Sequence, residues 1–168
     1  ALMMASQYGR LAAVRVLLDA GAQVNAQKNT GMTALGMALV KGHMDVVRLL
    51  LSRGADMQRA VSGIQSGWSV LAAAAQEGHL ASVRLLIAHG ADVEFRSKIG
   101  WTALMLAARY GHPRVLGALL DAGANPLRFQ PSGWSALMSA AQFGRAECVR
   151  MLLRALPEPR RRRDYANK

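Results

Sequence analysis

Acidic residues, cysteine, proline and aromatics are all scarce in this 168-residue chain, and each scarcity closes off a class of protein. The single cysteine, Cys148, excludes an internal disulfide and a thiolate zinc cluster. It lies in the apolar stretch Glu147-Cys148-Val149-Arg150-Met151-Leu152, where it serves as a small buried hydrophobe with no redox role. A lone thiol suits a reducing compartment, so we expect an intracellular setting, cytoplasmic or nuclear. Acidic residues number 10 against 21 Lys and Arg, and Asp19, Asp45, Asp56, Asp92 and Asp121 form no evident carboxylate pair for acid–base chemistry. Neither a G-x-x-x-x-G-K-S/T phosphate loop nor an H-E-x-x-H metal helix occurs. No run of eighteen apolar residues exists, so no segment reads as a membrane-spanning helix. The expectation is a non-enzymatic chain without cofactor, metal or membrane insertion.

What the chain does contain is repetition. Leu2, Leu35, Leu71, Leu104 and Leu137 each sit in a small-residue helix start, at intervals of 33, 36, 33 and 33. Seven residues after each comes Gly9, Gly42, Gly78, Gly111 or Gly144. Gly21-Ala22, Gly54-Ala55, Gly90-Ala91 and Gly123-Ala124 follow twelve residues later. Three landmarks sharing one period of about 33 residues are the mark of a solenoid. The chain starts at a helix without the turn that should precede it, from which we expect a fragment of a longer protein.

Residues 100–133 show the logic of one copy. Thr102 can cap a helix in which Leu104, Ala107 and Ala108 share a face, and Gly111 ends it. A second helix starts at Pro113, buries Val115, Leu119 and Leu120, and stops at Gly123. Neither helix can bury its apolar face alone, and stacking on the next copy supplies the missing neighbour.

These residues resemble the ankyrin repeat. Its T-P-L-H-x-A hallmark appears as Thr33-Ala34-Leu35-Gly36-Met37-Ala38 and Thr102-Ala103-Leu104-Met105-Leu106-Ala107, with weaker versions at Ser69-Val70-Leu71 and Ser135-Ala136-Leu137. Its G-H pair is present as Gly42-His43, Gly78-His79 and Gly111-His112, and its G-A-D-V ending as Gly90-Ala91-Asp92-Val93. Ala or Val replaces the usual Pro, and the His of the hallmark is missing throughout. The resemblance implies an all-α solenoid of stacked helix-turn-helix units with protruding hairpin-like loops, over residues 1–156. Repeats fall at about 1–29, 30–65, 66–98, 99–131 and 132–156, followed by a basic Pro/Arg-rich tail at 157–168. The 36-residue interval places three extra residues in the loop Arg59–Ser66.

His43, His79 and His112 occupy one repeat position. Stacked helices lie roughly 8–10 Å apart, too far for consecutive imidazoles to share a zinc with bonds of ~2 Å. We therefore read them as ties between turns.

The net charge is +11. The tail holds Arg160 to Arg163 and Lys168 against Glu158 and Asp164, which leaves a balance of +8 in the repeats. Lys28, Arg59, Arg96, Lys98 and Arg128 fall in successive loops. A second column, Arg15, Arg48, Arg84 and Arg150, is interrupted at Gly117 and reads as a solvated outer face, with Arg15 spaced to pair with Asp19. The Arg160–Arg163 run fits an import signal, a polyanion contact or a solvated tail.

Laying the copies in register brings Met32, Trp68, Trp101 and Trp134 together after the turn glycine, so all three tryptophans share one column. By the resemblance this column faces the concave groove. So do the columns holding Met105 and Met138, Arg109 and Gln142, and Tyr110 and Phe143. Gly36 and Ala72, aligned with the methionines, are expected to leave a shallow pocket. The candidate contact residues are therefore Trp68, Trp101, Trp134, Met105, Arg109, Tyr110, Met138, Gln142 and Phe143, with Arg96, Lys98 and Arg128 at the rim. Trp, Tyr, Met and Arg are the types enriched at interface hot spots. The expected partner is a protein or peptide with apolar anchors and acidic flanks, bound by a monomer. Nucleic acid or another polyanion is the alternative.

Overall fold

The computed structural model describes residues 1–29, 31–57 and 69–156. Trp68, the loop Arg59–Ser66 and the tail with Arg160–Arg163 lie outside the described residues. The described part is helical and forms five consecutive pairs. They are α1 (Leu2–Gln7) with α2 (Leu11–Asp19), α3 (Ala34–Lys41) with α4 (Met44–Ser52), and α5 (Val70–Glu77) with α6 (Leu80–Ala88). The last two are α7 (Ala103–Tyr110) with α8 (Pro113–Asp121), and α9 (Ala136–Gln142) with α10 (Ala146–Ala155).

The first helix of each pair from the second onward starts at a side-chain cap. Thr33, Ser69, Thr102 and Ser135 accept from the amides of Gly36, Ala72, Met105 and Met138 at 3.1, 3.1, 3.3 and 3.2 Å. Each bond satisfies one of the donors that a helix start leaves without an intrahelical partner. α3, α5 and α7 stop at Gly42, Gly78 and Gly111 in the left-handed conformation, and α8 begins with Pro113 in its first turn.

The pairs stack into two layers, first helices on first helices and second on second. Facing first helices meet through small residues: Ala34 and Ala38, Ala74 and Ala75, Ala103 and Ala107, Ala136 and Ala140 are all buried. The second helices contribute larger buried side chains, among them Leu50, Leu86, Leu116, Leu119 and Leu152. Small side chains let axes approach closely and large ones hold them apart. The first-helix layer is the more tightly joined of the two, which makes it the inner side of the curve.

Ahead of α3, α7 and α9 the chain forms short hairpin-like loops. The amides of Lys28, Ser97 and Gln130 donate to the carbonyls of Met32, Trp101 and Trp134 at 3.0, 2.9 and 2.8 Å. Two isolated antiparallel bridges, Gln27 with Thr33 and Phe129 with Ser135, are all the extended pairing among the described residues.

Candidate interaction groove

The hairpin bonds explain where the tryptophans sit. Trp101 and Trp134 close the base of their loops with their own carbonyls, so their side chains are delivered at the mouth of the inner helices α7 and α9. Trp101 is further held by its amide, which donates to Ser97 Oγ at 3.0 Å. Both indoles are half-buried, and Trp101 packs on the core.

Arg109, near the end of α7, ties this loop base to the next repeat. Its guanidinium carbon lies over the Trp101 ring at 5.3 Å and over the Phe143 ring at 4.4 Å. Both distances are within cation–π range. Its backbone carbonyl accepts from Arg145 Nε at 3.1 Å. Phe143 stays 39% exposed and Tyr110, the next residue of α7, 43%; Gln142 is exposed and Met138 is half-buried. Trp101, Arg109 and Phe143 are thus in contact across the last two repeats; Tyr110 and Gln142 belong to the same inner helices, Trp134 to the base of the loop before α9, and Met138 to the column of Met105.

Met105 does not belong to that surface. It is 1% exposed, with Sδ 3.8 Å from Gln130 Nε2 of the following loop. The column it shares with Gly36 and Ala72 points into the seam between repeats. There, a Cβ on Gly36 would stand 2.9 Å from Met32 Sδ and 3.7 Å from Val70 of the next repeat. Gly36 and Ala72 are themselves buried, so the expected shallow pocket is filled.

At the rim, two of the three basic residues are bonded across repeats. Arg128 Nε donates to Glu94 Oε2 at 2.7 Å, and Arg96 Nη2 donates to the Phe129 carbonyl at 3.0 Å. Lys98 is exposed. Three exposed apolar residues were missed: Phe95, Ile99 at 61% exposure, and Phe129. They alternate with Arg96, Lys98 and Arg128 in the same loops, where charge alone drew notice.

On the outer layer Arg15, Arg48, Arg84 and Arg150 are exposed, as is Arg114. Asp19 accepts from Arg53 of the next repeat at 2.8 Å, which replaces the expected intrahelical pair with Arg15 by a link between repeats. At Gly117 the column opens into a cleft of about 410 Å³, lined in part by Arg84, Arg114, Asp121 and Glu147.

The histidines tie neighbouring turns. His43 Nε2 donates to the Gln7 carbonyl at 3.0 Å and His112 Nε2 to the Gln76 carbonyl at 2.8 Å. Burial holds the pKa of His79 below the usual histidine value. His43, Lys41 and His112 push it the same way, against Glu77. Among the described residues no group of three or more His, Cys, Asp or Glu could hold a metal. No described helix is long and apolar enough to cross a membrane.

Comparison with known proteins places this architecture. The family model for ankyrin repeats (3 copies) matches residues 1–61 and 71–162. Ankyrin repeat domain-containing protein 63 of Homo sapiens is 45% identical over 49 residues, 29% of this chain and 13% of that protein. The 2-5A-dependent ribonuclease of Mus musculus is 46% identical over 59 residues, 34% of this chain and 8% of that protein. The chain thus spans about a tenth of the length of these relatives. Ankyrin repeats generally mediate protein–protein interaction. The capped inner helices, left-handed turn glycines and hairpin loops agree with the family model along nearly the whole chain, and the protein belongs to the ankyrin-repeat family.

Proposed function

We propose that this chain is a non-enzymatic interaction module that binds a peptide or protein domain on its inner face, over repeats four and five. The observation that carries this reading is the Trp101–Arg109–Phe143 stack, bordered by the exposed ring of Tyr110. Rigid aromatic anchors beside an arginine are the usual make-up of a binding hot spot. The exposed Phe95, Ile99 and Phe129 extend the apolar area onto the loops, and Lys98 adds charge at the rim. Residues 1–156 form the module in this reading, with 157–168 as a basic tail, acting as a monomer in the cytoplasm or nucleus.

Affinity capture from cell extract tests it, with wild type and a Trp101→Ala/Trp134→Ala variant as baits. Proteins held by the wild type and lost with the variant support the groove. An identical captured set overturns it.

A second reading, polyanion binding, draws on the charge of +11 and the exposed arginine column of the second helices. It predicts that a labelled oligonucleotide binds with a steep salt dependence and ignores the tryptophan substitutions.

A further inference from the structure

We propose that Arg109 is the anchor for a single carboxylate, so that the groove takes a partner segment in which one Asp or Glu side chain lies between apolar residues. This rests on the groove reading above and changes where the acid goes, from the flanks of the partner to its centre.

The first ground is the state of the guanidinium. Trp101 and Phe143 contact it through their rings, and rings accept none of its five N–H donors in an ordinary hydrogen bond. Among the described residues no carboxylate or carbonyl pairs with those donors. The half-buried fork therefore has no protein acceptor among the described residues, and a carboxylate is the group that matches it with two parallel bonds.

The second ground is that three of the neighbouring cations are already engaged. In the column beside Arg109, Lys41 Nζ lies 2.9 Å from Glu77. At the rim, Arg128 is taken by Glu94 and Arg96 by the Phe129 carbonyl. On the inner helices an incoming acid meets its open partner at the stack, and on the loop edge Lys98 is the exposed cation that competes with it.

The third ground is preorganisation. An arginine side chain normally gives up much rotamer freedom when it binds, and one already lodged against two rings has given up part of it beforehand. The two rings also take the place of part of the water around the charge, which strengthens a pair formed there. The exposed faces of Tyr110 and Phe143 then receive the apolar residues on either side of the acid. A nucleic-acid backbone fits less well, because it gains affinity from several cations at once. Here one guanidinium is set among rings.

The experiment is selection of a random 12-residue peptide library, displayed on phage with no free C-terminus, against the wild-type chain. The expected result is a family of peptides sharing one Asp or Glu between apolar residues. The best peptide is then synthesised with the acid and with its amide, and both are measured on wild type, Arg109→Gln and Arg109→Lys. On wild type the amide should bind about tenfold or more weakly. On Arg109→Gln the two peptides should bind alike, and Arg109→Lys should recover only part of the difference, because a point charge lacks the fork. Circular dichroism of each variant checks that it is folded.

Enriched peptides without an acid, or an acid–amide difference unchanged by Arg109→Gln, would overturn the carboxylate anchor. The groove reading survives that result if Phe143→Ala abolishes peptide binding. Peptides that bind Phe143→Ala and Trp134→Ala as tightly as wild type, or no enrichment at all, overturn the groove and this proposal with it. Displacement of the peptide by a 20-nucleotide single strand, with steep salt dependence, would assign the stack to a polyanion instead.

Discussion

The imidazole of His43 rests against Gly9 of the preceding repeat while its Nε2 donates to the Gln7 carbonyl at 3.0 Å. A Cβ on Gly9 would stand 2.6 Å from Nδ1. The same contact recurs between His79 and Gly42 and between His112 and Gly78, and in the last repeat Arg145 lies against Gly111. Gly9, Gly42 and Gly78 therefore do two things. Each takes a positive φ at the helix end, and each leaves room for the ring of the next repeat.

Comparing two glycines separates these roles. Gly78 and Gly90 have φ of 78° and 81°, but a Cβ at Gly78 meets His112 at 2.6 Å, whereas one at Gly90 meets nothing within 4 Å. Gly90→Ala should cost about 1–2 kcal/mol from the backbone alone. Gly78→Ala should cost about 2–4 kcal/mol, because the ring must also be displaced. Urea unfolding of both variants reads the difference, and equal losses would show that the ring contact contributes nothing.

Met105→Ala should act on stability, since the side chain is buried in the seam between repeats four and five. Removing a buried methionine side chain costs about 2–5 kcal/mol. Thermal or urea denaturation measures it. A variant of wild-type stability with weakened partner binding would mean that Met105 faces the groove after all.

His79 makes stability fall on acidification. Its folded pKa lies below the unfolded value of about 6.5. Between those two values the unfolded chain binds a proton that the folded chain refuses. The stability is fully present above the unfolded value and is lost as pH falls through the folded one. The urea midpoint should therefore drop between pH 7.5 and 5.5, and drop less in His79→Gln, where that group no longer titrates. An equal drop in both proteins would assign the pH dependence elsewhere.

Cys148 should be inert in the folded protein. Burial raises its pKa and Glu147 adds to the effect, with Arg145 opposing. Reaction with a chromogenic disulfide reagent should run about a hundredfold slower or more in buffer than in urea, because the thiolate forms only once the helix opens. Immediate modification under native conditions would contradict the buried placement.

Much of the fold was legible because repetition averages out local ambiguity. Thr102 as a cap, Gly111 as a stop and Pro113 as a start each rest on backbone rules that hold within a few residues. The candidate surface was legible only in outline. Register placed Arg109, Trp101 and Phe143 on one side of the array, but contact between them depends on how far successive repeats rotate and approach. Met105 went astray for the same reason: a column that points into the seam and one that points into the groove have the same spacing in sequence. The pairing of Arg128 was not legible because Glu94 lies 34 residues away, and only stacking brings them together.

The sequence by itself determined the repeat, its length, the helix ends and the all-helical stack, because those follow from local geometry and from apolar faces that must be covered. Only the tertiary structure decided which of the aligned side chains meet water, which cations are already paired and which guanidinium lies open against two rings. Those outcomes depend on distances between neighbouring repeats. The close approach of the alanine-lined inner helices sets those distances, and the order of residues along the chain does not record them.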